Sequence, residues 1–215
     1  MSSRPGAYAT AAKMCMTDQN YRKADENEPL MHAHEGAPGG GECSSWYALK
    51  VFHNKVNALE ADLTEWGRCE CYVPRESVMV EGRDGKKQLK ERPAVGGLMF
   101  VKVSESILKE MKGKISGTAM FYSAPDGSPA RIPDHEMTIF RLVTSKGSEG
   151  LEYLPGDTSE YAVGQRVRVL EGPFCGAEGY IRRIHGDRRL VVTINGVCAV
   201  ATSYIPACFL EKISN

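Results

Sequence analysis

Seven cysteines and five histidines are the residues of this 215-residue chain best suited to covalent or metal chemistry. Cys15, Cys43, Cys69, Cys71, Cys175, Cys198 and Cys208 are odd in number and include no C-x-x-C pair, so they describe no disulfide framework. His32-Ala33-His34, upstream of Cys43, has the look of metal ligation. A structural metal site, however, closes with four ligands on a fixed scaffold, and the stretch around it has no apolar period to build one. It is read as incidental histidine in a tail. A cysteine nucleophile needs a nearby base and an activated thiolate. His185 is the sole histidine of the C-terminal segment, and nothing in sequence orients it. Cys69 and Cys71 share one strand face, and the cysteines at 175, 198 and 208 read as small apolar residues. The expectation is a protein with no catalytic residues, metal or cofactor, kept in a reducing cytoplasm.

The charge is balanced, with 27 Lys+Arg against 27 Asp+Glu, so no net field draws the molecule towards nucleic acid. Regional sums differ: residues 1–44 carry four basic against six acidic residues, 45–144 fifteen against thirteen, 145–160 one against four, and 161–215 seven against four. No apolar run approaches the length of a membrane span, and the N-terminus lacks the apolar core of a secretory signal.

Elements follow from periodicity. Residues 1–44, with "ADENEP" and "HEGAPGGGE", have none, and read as a disordered extension. Order begins at Trp46: "WYALKVF" alternates Tyr47, Leu49 and Val51 against Trp46, Ala48 and Lys50, a strand pattern. In "NKVNALEADLTEWG", Val56, Leu59, Leu63 and Trp66 form one helical stripe, with Asn54 placed as cap and Gly67 as terminator. "CECYVP", "SVMVEG", "KQLKE" and "GLMFVKV" are strands, the middle two about the turn Gly82 to Gly85. A helix from about Ser104 to Lys112, a strand at "TAMFYS" and a third helix at "PDHEMTIFRLV" complete a split βαβ pattern: an antiparallel sheet with helices against it.

Residues 145–160 are acidic and Gly-rich, the composition of a flexible linker. Beyond them the texture is β throughout. "QRVRVL", "GYIRRI", "RRLVVTI", "VCAVATS" and "CFLEKI" make five short strands, the size of a small closed barrel. Asn195-Gly196 between two β-branched runs predicts a type I′ hairpin. "VLEGPFCGAEGY", 169–180, puts Phe174 in a loop whose Gly172 and Gly176 suit left-handed geometry. That holds the ring at the barrel's rim, available either for core packing or for docking a partner.

Three stretches carry a family likeness. "GQRVRVLEGPFCGAEGYIRRI", 164–184, resembles the KOW motif. "WYALKVFHNKVNALEADL" resembles the opening strand and helix of the NusG N-terminal domain, and "ERPAVGGLMFVKV" resembles that domain's signature run. The likeness covers about 46–215 in the family's order, and is nearest to the specialised RfaH- and UpxY-type antitermination paralogues. Gly96 departs from it, standing where the family has proline, which leaves that turn less pre-organised. The resemblance implies an α+β protein of four segments: extension 1–44, NusG N-terminal-like domain 45–144, flexible linker 145–160, and a five-stranded, SH3-like KOW barrel 161–215.

It also implies a function: a transcription elongation or antitermination factor, expected to be monomeric and not an enzyme. "GLMFV" is apolar on both faces, with Leu98 and Phe100 on one and Met99 and Val101 on the other. By resemblance, Tyr47, Val95, Gly97, Leu98 and Phe100 bind the clamp helices of the RNA polymerase largest subunit. Lys109, Lys112 and Lys114 would meet the non-template DNA strand, although lysines in a last turn also suit the helix dipole. Phe174, Arg166 and Arg168 would dock the barrel on a small-subunit ribosomal protein or the Rho terminator. Alternation puts both arginines on one face, which a solvated strand also explains. The alternative is an RNA-binding or ribosome-associated KOW protein. "RRLVVTINGVCAVATS" is β-branched, a poor helix sequence, so the barrel is expected to stay β when both domains are present.

Overall fold

The computed structural model describes residues 43–81, 85–145, 150–154 and 158–213. The 1–42 extension, with His32, His34 and Cys15, lies outside them, as do 82–84 of the hairpin turn and parts of the linker.

The N-terminal half is built on one antiparallel sheet. Strand β1 (Ser44–Val51) leads to helix α1 (Val56–Trp66), then to the short strand β2 (Glu70–Tyr72). Strands β3 (Arg75–Glu81) and β4 (Lys87–Pro93) pair only with each other, as a separate ribbon with Met79 and Leu89 exposed. β5 (Leu98–Ser104), α2 (Glu105–Lys114), β6 (Ala119–Phe121), β7 (Arg131–Ile132) and α3 (Asp134–Ser145) follow. The sheet order is β2-β5-β1-β6, with β7 also on β1. Gly67 ends α1 in the left-handed region, φ 68°, as its position after the stripe predicts. The expected Asn54 cap is absent: Lys55 takes that position without a side-chain bond, and Asn54 sits in the turn before it at φ 54°.

The alternation in β1 and β5 gives the sheet two apolar faces. On one, Tyr47, Leu49, Met99 and Val101 pack with Leu59 and Leu63 of α1 and Met111 of α2. On the other, Trp46, Ala48, Leu98 and Phe100 pack with Met137, Phe140 and Val143 of α3. Phe100 and Phe140 meet at 5.3 Å between centroids. Arg141 of α3 reaches back over the Trp46 and Tyr72 rings and bonds Glu70 at 2.7 Å, which pins the helix to the sheet.

The C-terminal half is a six-stranded antiparallel sheet. It contains β8 (Glu152–Leu154), β9 (Arg166–Val169), β10 (Glu178–Ile184), β11 (Asp187–Ile194), β12 (Cys198–Tyr204) and β13 (Leu210–Lys212), ordered β13-β9-β10-β11-β12-β8. Five of these are the expected strands. The sixth, β8, comes from the segment expected to be a flexible linker: Tyr153 lies opposite Val200 of β12. Its apolar residues are too few to give a period. Among the described residues no backbone pairing joins β8 to β13.

The turns exchange roles. Asn195-Gly196 lies in a three-residue loop between Ile194 and Cys198 in which only Gly196 has positive φ, 71°, so it is not type I′. The two-residue turn with positive φ at both positions is His185-Gly186, at 52° and 89°.

The two halves share one apolar cluster. Val167, Val169, Leu190, Val192, Ile194 and Val200 of the second sheet are in the same buried group as Phe100, Met137, Phe140 and Val143. Helix α3 packs on β11 as well as on β1. It is therefore the middle layer of the molecule.

Candidate partner-docking site

Leu98 and Phe100, the centre of the expected polymerase surface, are 2% and 0% exposed, because α3 and its neighbours cover that face. Tyr47 cannot join them. Ala48, not Tyr47, is the register partner of Phe100, and directly opposed residues share a face. Tyr47 therefore points the other way, towards Phe121, with ring centroids 5.9 Å apart. Val95 and Gly97 are half-buried in the turn before β5. Gly97 has a structural reason to be glycine: its φ is 75°, and a Cβ there would lie 2.7 Å from the Val51 carbonyl oxygen. That close approach accompanies the 2.7 Å bond from Val51 N–H to the Gly97 carbonyl.

Lys109, Lys112 and Lys114 are all exposed on α2. Lys109 and Lys112 are three apart and lie side by side. Lys114 is turned away, its Nζ 5.7 Å from the centroid of the Trp66 ring. The described residues thus present two adjacent lysines and one diverted onto an aromatic face.

In the second sheet, Arg166 and Arg168 both engage Glu178 of β10, at 3.2 and 2.6 Å. The bond to Glu178 holds the Arg168 guanidinium above its ordinary pKa. Cross-strand pairing thus sets one carboxylate against the two arginines and offsets part of their charge. Arg189 and His185 likewise share Glu152 of β8, at 2.9 and 3.2 Å.

Phe174 is 5% exposed and belongs to the joint cluster. Its loop is folded tightly: Gly176 N–H donates to the Val169 carbonyl at 2.8 Å, and Ala177 N–H to the Phe174 carbonyl at 2.9 Å. Gly172 and Gly176 have the positive φ the sequence suggested, 86° and 88°. A Cβ on Gly176 would lie 3.9 Å from Leu142 Cδ2, so this loop lies against α3. The rim aromatic is docked within its own chain.

A cavity of about 440 Å³ opens between α3 and the second sheet, lined by His135, Glu136, Ile139, Arg166, Glu178 and Tyr180 among others. Burial raises the Glu136 carboxyl pKa, opposed by the nearby His135 and Arg166 charges. Sequence reasoning missed Tyr153 entirely. Its ring joins the shared cluster, but its buried hydroxyl has no hydrogen-bond partner among the described residues. Burial keeps that phenol protonated far above the usual range. An unpaired buried hydroxyl carries a desolvation penalty, so Tyr153→Phe should stabilise the chain by about 1 kcal/mol. Urea unfolding of both forms checks this; a loss of stability would mean the hydroxyl is bonded.

A split, helix-flanked antiparallel sheet joined through α3 to a small all-β unit defines a two-part protein of α+β class. The family model described as "Transcription termination factor nusG" matches residues 44–141. A NusG of Pseudomonas aeruginosa, a transcription termination/antitermination protein, is 30% identical over 67% of this chain and 79% of its own length. The corresponding protein of Treponema pallidum is 26% identical over 70% of this chain and 90% of its own. A solved structure, "Domain interaction in Thermotoga maritima NusG", aligns over 80% of this chain and 98% of its own, at 17% identity and a TM-score of 0.43. The chain belongs to the NusG family. No helix among the described residues is long and apolar enough to cross a membrane.

Proposed function

We propose that this protein is a transcription elongation and antitermination factor. It binds RNA polymerase through its N-terminal half, favours processive elongation, and docks a second partner through its KOW-like sheet. The observation that carries this is the match of 44–141 to the NusG model, followed in order by the all-β unit, in a chain whose relatives are termination/antitermination proteins. It acts as a cytoplasmic monomer without a reaction of its own: a ligand of the polymerase shifts the clamp's equilibrium by its differential affinity for the closed state.

In this reading the clamp helices of the largest subunit meet the turn and strand from Val95 to Phe100. Gly97 shapes that turn, and Tyr47 braces the sheet from behind. Lys109 and Lys112 lie towards the non-template DNA strand. Since Leu98 and Phe100 are covered, the layer over them must part before a helical partner can reach them. The KOW-like unit, with Phe174 released, is then free for a small-subunit ribosomal protein or for Rho. The pairing of Arg166 and Arg168 with Glu178 weighs against the alternative of a primary RNA binder, because phosphate contact needs unneutralised charge.

The test is binding of the full chain to purified polymerase and to a clamp-helix fragment. Val95→Asp, at a half-buried turn position, should weaken both by about tenfold or more while leaving circular dichroism unchanged. No affinity for either target, together with tight salt-sensitive RNA binding, would favour the alternative.

A further inference from the structure

Where α1 turns into β2, Cys69 and Cys71 bring their sulfurs to 3.7 Å. Cys69 lies in the bend after Gly67, one residue before β2 begins, so it is not held by the ladder that fixes Cys71 opposite Val101. It borders an open cleft of about 420 Å³ that is also lined by Arg68, Glu70 and Lys102. Cys71 does not line that cleft. Both thiols are half-buried against the core cluster that Trp66 also packs on, and Trp66 carries Arg68 and Lys114 over its ring. Cys69 thus lines a solvent-open cleft beside Arg68 and Lys102, and the Cys71 sulfur stands within contact distance of its own.

We propose that Cys69 and Cys71 form a reversible thiol oxidation site, in which Cys69 reacts with a peroxide and Cys71 resolves the product into an intrachain disulfide. The chemistry balances with peroxide as the two-electron oxidant. The Cys69 thiolate attacks one peroxide oxygen and breaks the O–O bond, leaving Cys69 as a sulfenic acid and, with hydrogen peroxide, releasing hydroxide that is protonated to water. The Cys71 sulfur then attacks the Cys69 sulfur and expels hydroxide, which leaves as water with the Cys71 proton. The sulfurs must close from 3.7 Å to about 2 Å. The bend at Cys69, outside the β2–β5 ladder that holds Glu70 and Cys71, is where that movement would fall.

The division of roles agrees with the electrostatics. The hydrogen bond from Cys71, helped by the Lys114 charge, lowers the Cys69 pKa against burial. The same bond, with burial, pushes Cys71 up, leaving it the proton donor of the pair.

Trypsin cutting after Arg68 and Arg75 releases one peptide holding both cysteines, so the full-length protein can be assayed directly. After brief treatment with hydrogen peroxide and alkylation of remaining thiols, that peptide should appear two hydrogens lighter and unalkylated. It should form roughly tenfold faster than any oxidised product at the exposed Cys43 and Cys208, and dithiothreitol should reverse it. In Cys71→Ser, dimedone should trap a sulfenic acid at Cys69. In Cys69→Ser, Cys71 should stay reduced. Oxidation of Cys43 and Cys208 ahead of this pair in the unmutated protein would overturn the proposal, as would a Cys71→Ser variant that yields no trapped sulfenic acid. The unmutated readout needs no variant to fold.

Discussion

Replacing Phe174 with alanine should cost about 3 kcal/mol and separate the two halves of the molecule. The ring is 5% exposed, so its removal takes the transfer energy of a large side chain and leaves a void. Where that energy is lost decides the outcome. The Phe174 loop holds its own shape through backbone bonds that link Val169 with Gly176 and Ala177, Gly172 with Cys175, and the Phe174 carbonyl with Ala177, none of which involves the ring. The remaining members of its sheet, from Val167 to Val200, keep their mutual packing. If the ring packs on α3, against which Gly176 of the same loop lies, the contact that fails is the one between the two halves. Amide dispersion of the second sheet should persist, amides on the Ile139–Leu142 side of α3 should exchange faster, and affinity for a clamp-helix fragment should rise. Collapse of the dispersion would instead make Phe174 part of that sheet's own core.

Gly179→Ala should be at least as damaging and should act first on the second sheet. A Cβ at Gly179 would lie 2.3 Å from the Val191 carbonyl oxygen and 3.2 Å from Leu190 Cδ1. The oxygen belongs to β11, paired with β10 through Tyr180 and Val191, so it cannot retreat without parting the two strands. Overpacking against backbone is expected to cost roughly 3 kcal/mol or more. The thermal transition of the second sheet should fall or vanish while fluorescence from Trp66, packed on the face of the first sheet away from it, still reports a folded environment. Gly113→Ala is the control. Gly113 lies in α2 with open space where a Cβ would stand, so there the change should stabilise by about 0.5–1 kcal/mol. Equal effects at both positions would refute the steric account.

Much of the fold could be read from local pattern. The alternation of "WYALKVF", the Val56–Trp66 stripe and Gly67 place the first strand and helix, because their signals lie within a dozen residues. The two-faced apolar character of "GLMFV" was legible too. What covers its second face was not: Phe100 meets Phe140 forty residues on, and Phe174 joins the same cluster from the loop between β9 and β10. The family resemblance grouped Tyr47 with Phe100, whereas register separates them, and register depends on a partner strand fifty residues away. Turn chemistry misled for a similar reason. Asn195-Gly196 has the stronger local preference, but the strand pairing gives the two-residue turn to His185-Gly186, where a histidine accepts φ 52°. Strand β8 offers three residues in an acidic context and becomes a strand only because β12 presents an unpaired edge.

That last strand limits how far the second half can travel. While β8 stays on β12, only the stretch from Ser145 to Gly150 connects α3 to the moving body. Five fully extended Cα steps reach about 18 Å. An undocked sheet is then a ball on a short leash, held near α3 at high effective concentration and able to compete with any incoming helix for the same ground. Peeling β8 away would lengthen the leash and at the same time bare the β12 edge, so range and adhesiveness would increase together.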